Sequence, residues 1–238
     1  MEPHTQPAQP INGRKMVSSP LFLFALGVFP ALFWLGFFII EDYKHPEPPR
    51  MIAKVFIAGA LSALVAAALQ FSLQISVPGI VGYGASSPVG FFAFALIEEV
   101  VKFGGAYLLI RRSKSFDEPV DAMIYLITAA MGFAALENAL FLLSTGSSLI
   151  LETALMRSVG ATFLHAVASG FVGFYWARRR LVLGLIIATA LHTAFNYLAY
   201  YFIHTQIYAV MFVLLASFFL FHDFDIIKQP NGDGKGQI

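Results

Sequence analysis

Residues 89–110 read VGFFAFALIEEVVKFGGAYLLI, a run long and apolar enough to cross a bilayer but interrupted at its middle by Glu98, Glu99 and Lys102. A helix rising about 1.5 Å per residue needs about 20 apolar residues to span a hydrocarbon core. A charged side chain at the centre of such a helix costs roughly 2.5–3.5 kcal/mol on insertion, so intramembrane acids and imidazoles ordinarily line a site or a pathway. Three further apolar runs carry such groups, at Glu137, His165 and His192. The pattern predicts an all-α, polytopic membrane protein with a polar centre inside its helical bundle.

Composition agrees. The 238 residues are 58% hydrophobic and 12% charged, with a mean hydropathy of +0.73, whereas a soluble domain is about one quarter charged. The net charge of +1 comes with no basic patch interleaved with aromatics, which excludes a nucleic-acid partner. Cysteine is absent, so disulfide frameworks and Cys-based zinc sites are excluded as well. The run from Pro20 to Ile40 is too long for a signal-peptide core and lacks a small-residue cleavage site, so it reads as a true span.

Seven spans are expected, at 20–40, 52–76, 89–110, 120–143, 153–177, 181–203 and 206–222. They make one transmembrane bundle over 20–222, between a polar segment 1–19 and a loose tail 223–238. Lys44, Arg50 and Lys54 follow the first span, Arg111, Arg112 and Lys114 the third, Arg178, Arg179 and Arg180 the fifth, and Lys228 and Lys235 the seventh. The other connections carry essentially no basic residues, apart from Arg14 and Lys15 at the amino end. The positive-inside bias therefore places the N-terminus outside and the C-terminus in the cytoplasm.

From the cytoplasmic ends, Glu98, His165 and His192 all come out roughly 17–18 Å deep. Glu137 lies nearer 26 Å if its helix starts at Val120, and nearer 20 Å if residues 117–122 are still loop. Polar groups from three or four helices thus approach one level near the midplane. Two adjacent carboxylates in low dielectric do not both ionise easily, which suits Glu98 and Glu99 to acid or base work near neutrality. Lys102 shares a helix face with Glu98 and can neutralise one carboxylate. His192 and Asn196 also share a face and offer donors for an oxyanion.

Other polar residues have plainer readings. Arg157 lies early in its helix and snorkels to the surface. Glu137-Asn138 and His165 can each serve as interhelical hydrogen-bonding groups. Gly104, Gly105, Ala134, Ala135, Ala168, Gly170 and Gly173 are small residues suited to close helix packing. Two function classes fit the buried cluster: hydrolysis inside the membrane, and a proton-coupled transporter. A transporter is expected to show inverted repeats or broken helices at its site, and neither is visible here. Three carboxylates beside the histidines make a poor haem environment.

In this order on successive spans, the polar residues resemble the PrsW family of intramembrane proteases, distant relatives of the CAAX prenyl endopeptidases. The resemblance runs from about Glu41 to Asn196. It is carried by Glu47-Pro48, the EExxK run at Glu98, Glu99 and Lys102, the stretch Asp117-Glu118-Pro119-Val120-Asp121, Phe133 with Glu137-Asn138, His165, and the HxxxN run of His192 and Asn196. It implies an endopeptidase of a prokaryotic plasma membrane, cleaving a membrane-anchored protein or peptide such as an anti-sigma factor. Carried over from the relatives, Glu98 activates water, and Glu99 supports it or holds Lys102. His165 orients water or substrate, and His192 with Asn196 binds the oxyanion. The CAAX relatives usually read EExxxR where this chain has EExxK, and Glu137 has no firm counterpart there. The family implies either no cofactor or a single zinc ion. Two histidines and a glutamate make a zinc set, but there is no HExxH, and paired carboxylates account for hydrolysis alone. The expectation leans toward no metal.

Overall fold

A computed structural model describes residues 19–43, 45–81, 87–144, 150–202 and 207–228. The expectations for the segment before Ser19, for Lys44, for the break near His204 and for the tail beyond Lys228 lie outside the described residues. Eight helices carry the fold: α1 Pro20–Ile39, α2 Pro49–Ser76, α3 Pro88–Ile110, α4 Pro119–Ser144, α5 Ile150–Val159, α6 Ala161–Ala177, α7 Leu181–Tyr201 and α8 Ile207–Ile227. A 3-10 turn, Ile40–Asp42, extends α1, and a single helical turn, Pro78–Val81, follows α2. No strand occurs among the described residues.

Local sequence sets the helix starts. The first four helices each open on a proline, whose fixed φ and missing N–H suit the first helical position. At α3 the Ser87 hydroxyl also accepts the Gly90 N–H at 3.0 Å, satisfying one of the free donors of the first turn.

Six segments are long and apolar enough to cross a membrane: Pro20–Asp42, Pro49–Ser76, Pro119–Ser144, Leu151–Ala177, Leu181–Tyr201 and Ile207–Ile227. The seventh expected span, α3, has 23 residues and is as apolar as several of these, but it carries three charged residues, Glu98, Glu99 and Lys102, at its middle. It packs between α2 and α7 inside the bundle. Two boundaries differ from expectation. The span expected at 153–177 is broken at Gly160, whose backbone (φ −92°, ψ −84°) leaves helical geometry and separates α5 from α6. Helix α8 runs to Ile227 and not to 222, because Phe224 is buried and stacks near Phe38 with ring centroids 6.3 Å apart.

Helix α4 is the centre of the bundle. Every residue from Val120 to Ala135 is buried, and α4 packs most extensively against α6, α1 and α2. The most apolar windows of α4 and of the α5–α6 span are 72% and 67% buried, against 28–33% for the other candidate spans. Those outer helices therefore present most of their surface to lipid.

The α2–α4 crossing depends on glycine. A Cβ at Gly59 would fall on the Ala129 carbonyl oxygen, and one at Gly132 on the Phe56 carbonyl oxygen. Backbone meets backbone there, as small residues permit in lipid, where the hydrophobic effect does not drive helices together. Gly104, by contrast, has open space where a side chain would go. The closest approach is thus at glycines that composition alone does not distinguish.

The connections α1–α2, α3–α4 and α6–α7 and the end of α8 meet on one face of the bundle. His45 pairs with Glu118 at 2.9 Å, Lys228 with Glu41 at 2.7 Å, and Phe116 stacks on Trp176 with centroids 5.0 Å apart. On the same face the Tyr125 hydroxyl donates to Glu47. Burial, the main cause, pushes the Glu47 carboxyl up to about 8, while the Tyr125 hydrogen bond acts against it.

Replacing Gly132 by Leu is expected to separate α2 from α4 and destabilise the protein by about 3 kcal/mol or more. Gly104→Leu, facing open space, should be nearly silent. Thermal unfolding of both variants in the same detergent checks the contrast.

Candidate active site

Glu98, Glu99, Glu137, His165 and His192 lie in one cluster, built from α3, α4, α6 and α7. Glu99 and Lys102 are one helical turn apart on α3 and face inward, both fully buried. Glu99 Oε1 accepts from Lys102 Nζ at 2.7 Å and from His192 Nδ1 at 2.8 Å. Lys102 Nζ also lies 3.1 Å from His165 Nδ1. His165 Nε2 is 2.9 Å from Glu137 Oε2, and the other Glu137 oxygen takes Arg157 Nη2 at 3.0 Å. The chain of bonds runs on through Arg157 Nε to Asn138 Oδ1 at 2.7 Å, and from Asn138 Nδ2 to Thr162 Oγ1 at 2.8 Å.

Donor chemistry assigns the imidazole tautomers. An ammonium has donors only, so Lys102 makes His165 Nδ1 an acceptor and leaves Nε2–H to donate to Glu137. A carboxylate has acceptors only, so His192 donates Nδ1–H to Glu99. His192 Nε2 is then left pointing at Glu98 Oε2 across 3.6 Å, beyond hydrogen-bond reach. The two imidazoles stand edge to face, with centroids 5.0 Å apart.

Glu98 is held at one end only. Its Oε1 accepts from Gln70 Nε2 of α2 at 2.8 Å, while its Oε2 is buried without a partner. Three carboxylates in this cluster face two fixed cations: Lys102 pairs with Glu99, and Arg157 with Glu137. Glu98 is the acid left over. A buried carboxylate oxygen without a donor calls for a cation, a proton or a water. Glu98, His165 and His192 each offer one ligand atom within 4.8 Å of the others, so these residues fit a metal ion. Glu98 Oε2 and His192 Nε2 are free to ligate, whereas His165 would have to exchange one of its two present partners.

Several sequence expectations change here. Lys102 does not pair with Glu98 four residues before it; it takes Glu99, three residues before it. Both spacings bring side chains together on a helix, and the partners from α6 and α7 decide between them. Arg157 does not snorkel: it turns inward and holds Glu137 and Asn138, which removes a lone charge from the apolar phase. Asn196 is half-buried and forms no hydrogen bond with the described residues, so it stands outside the network. Glu137 reaches the cluster even though α4 is helical from Pro119. Gln70 went unnoticed in the sequence, although a lone amide in the apolar run of α2 is the signal that marks it.

Outside the cluster, an apolar cleft of about 810 Å³ runs between α3 and α7. It is lined by Phe92, Leu96, Ile186, Thr189 and Thr193 among others. These residues share their helices with Glu98 and His192.

Lys102→Met would leave Glu99 without its cation. Unpairing a buried charge in this way is expected to cost about 3–5 kcal/mol. The double variant Lys102→Met with Glu99→Gln should lose less than the sum of the two single changes, in thermal unfolding of purified protein.

The chain is similar to known proteins. The profile of the PrsW family intramembrane metalloprotease matches residues 47–221. Protease PrsW of Geobacillus kaustophilus is 33% identical over 158 residues, covering 66% of this chain and 67% of its own. Protease PrsW of Oceanobacillus iheyensis is 28% identical over 187 residues, covering 75% and 83%. Protease PrsW of Bacillus subtilis is 26% identical over 186 residues, covering 74% and 82%. No solved structure matches the chain. The matched span contains every residue of the cluster, and the chain belongs to the PrsW family of intramembrane metalloproteases.

Proposed function

We propose that this membrane peptidase hydrolyses a peptide bond of a single-span, membrane-anchored protein, such as an anti-sigma factor, at the space between Glu98 and His192. The observation that carries this reading is the pair Glu98 Oε2 and His192 Nε2. They face each other at 3.6 Å, each held from behind and each open in front.

Glu98 takes a proton from the attacking water, whose oxygen adds to the scissile carbonyl carbon. The same proton then passes to the leaving amine as the C–N bond breaks, so the carboxylate is regenerated. Glu99 plays the part of an orienting carboxylate, fixing the His192 ring through Nδ1 so that only Nε2 meets the substrate. In the metal-free option His192 is protonated on both ring nitrogens and Nε2–H donates to the oxyanion, with the Asn196 amide one turn further along α7 as the second donor. In the metal option Nε2 is a ligand instead. Glu137 and Lys102 hold His165 from its two sides, and His165 orients water or substrate.

Glu98, His165 and His192 are the residues that would hold a single zinc ion. Bound there, it supplies Lewis-acid polarisation and a more acidic water. The family description favours this metal option over the metal-free one. The substrate approaches laterally, its transmembrane segment against the apolar cleft between α3 and α7. Basic residues concentrate on the bundle face where the α1–α2, α3–α4 and α6–α7 connections meet. The positive-inside bias makes that face cytoplasmic and puts the N-terminus outside.

Glu98→Gln, expressed with a tagged single-span substrate, should lower cleavage at least about 100-fold at an unchanged protein level. Continued cleavage at the normal rate overturns the assignment of the base. Stripping purified protein with a strong chelator should lower cleavage, with zinc restoring it. Full activity in stripped protein rules the metal out.

A further inference from the structure

A second acidic cluster lies where α1 ends and α4 begins. Asp42, Glu47 and Asp121 each present a carboxylate oxygen, and the three oxygens lie within 4.8 Å of one another. Counted along α4, Asp121 is about 24 Å from Glu137, so this cluster is separate from the one around Glu98. We propose that Asp42, Glu47 and Asp121 bind a hard divalent cation of the Mg²⁺ or Ca²⁺ class, which fastens the α1–α2 connection to the start of α4.

Several observations point the same way. Asp42 is only 6% exposed, and its Oδ2 is buried with no hydrogen-bond partner. Its two neighbours are each held by one oxygen. Asp121 Oδ2 accepts the Asp117 and Glu118 N–H groups at 2.9 and 2.7 Å. Glu47 Oε2 accepts the Tyr125 hydroxyl, which also lies 3.2 Å from the Ser115 carbonyl oxygen. Glu47 and Asp121 also lie close enough to share a hydrogen bond, which needs a proton on one of them and which a cation would replace. Fixing one oxygen of each from behind is how outer partners orient the ligands of a metal.

The basic groups nearby are engaged elsewhere, Lys228 with Glu41 and His45 with Glu118. Among the described residues no ion pair reaches Asp42, Glu47 or Asp121. Three acids brought together at a largely buried place, with the nearest cations paired to other acids, are costly, and a bound cation lowers that cost. An all-oxygen, all-carboxylate donor set selects Mg²⁺, Ca²⁺ or Mn²⁺ over zinc or copper. The ligands come from the end of α1, from the connection and from α4, so a bound ion joins three parts of the chain.

Mn²⁺ is a suitable probe, its binding counted by electron paramagnetic resonance on full-length, chelator-treated protein in detergent. Wild type should bind it saturably, with displacement by Mg²⁺ or Ca²⁺ telling which ion the site prefers. Asp42→Asn should bind one Mn²⁺ fewer per chain, and Glu47→Gln should weaken that site at least tenfold. Glu98→Gln should leave it intact. Saturating cation should raise the Tm of wild type by about 5 °C or more and leave that of Asp42→Asn unchanged. If Asp42→Asn fails to fold, the Glu47→Gln affinity and the wild-type Tm shift decide. An equal Mn²⁺ count in wild type and Asp42→Asn, or no cation-dependent Tm shift in wild type, overturns the proposal and leaves three acids that share protons.

Discussion

Hydrocarbon does not tolerate a lone charge, and the interior of this bundle is organised around Lys102 and the two groups that answer it. Its ammonium is buried between Glu99 of its own helix and His165 of α6. Each partner is itself engaged once more, Glu99 by His192 and His165 by Glu137. Four helices are thereby registered by charge in a phase where apolar contact alone does not fix register. Replacing a buried ion set by apolar residues is often neutral or stabilising in other proteins, so the set is weak evidence for stability. What the set supplies is a fixed pair of open atoms, Glu98 Oε2 and His192 Nε2.

Much of this was legible in the sequence because a membrane simplifies reading. Spans are marked by hydropathy, and a charge inside a span marks an interior site. Counting from the basic ends brought Glu98, His165 and His192 to one depth, and the structure joins them. The partner of Lys102 was not legible, since Glu98 and Glu99 are both within helical reach and only the histidines of α6 and α7 break the tie. Arg157 was misread for a related reason. A long cation near the end of an apolar run can reach water or turn inward, and its acid, Glu137, lies on another helix.

Packing detail was the least visible. Gly59 and Gly132 look like many other small residues in apolar helices, yet they mark the place where two backbones touch. Gly160 sits in a run of spanning length, and its off-helix backbone is set by tertiary context. The extension of α8 past 222 also depends on a distant partner, Phe38, that the polar residues His222, Asp223 and Asp225 conceal. In each case the deciding contact is far away in sequence.

The charges of α3 bear on how the chain is made. Glu99 and Lys102 neutralise each other as soon as the helix forms. Lys102 meets His165 only 63 residues later, and Glu99 meets His192 only 93 residues later. At the moment α3 leaves the ribosome, the helices that shelter its polar face have not been synthesised. The inward polar face of α3 is therefore covered only once α6 and α7 have been made.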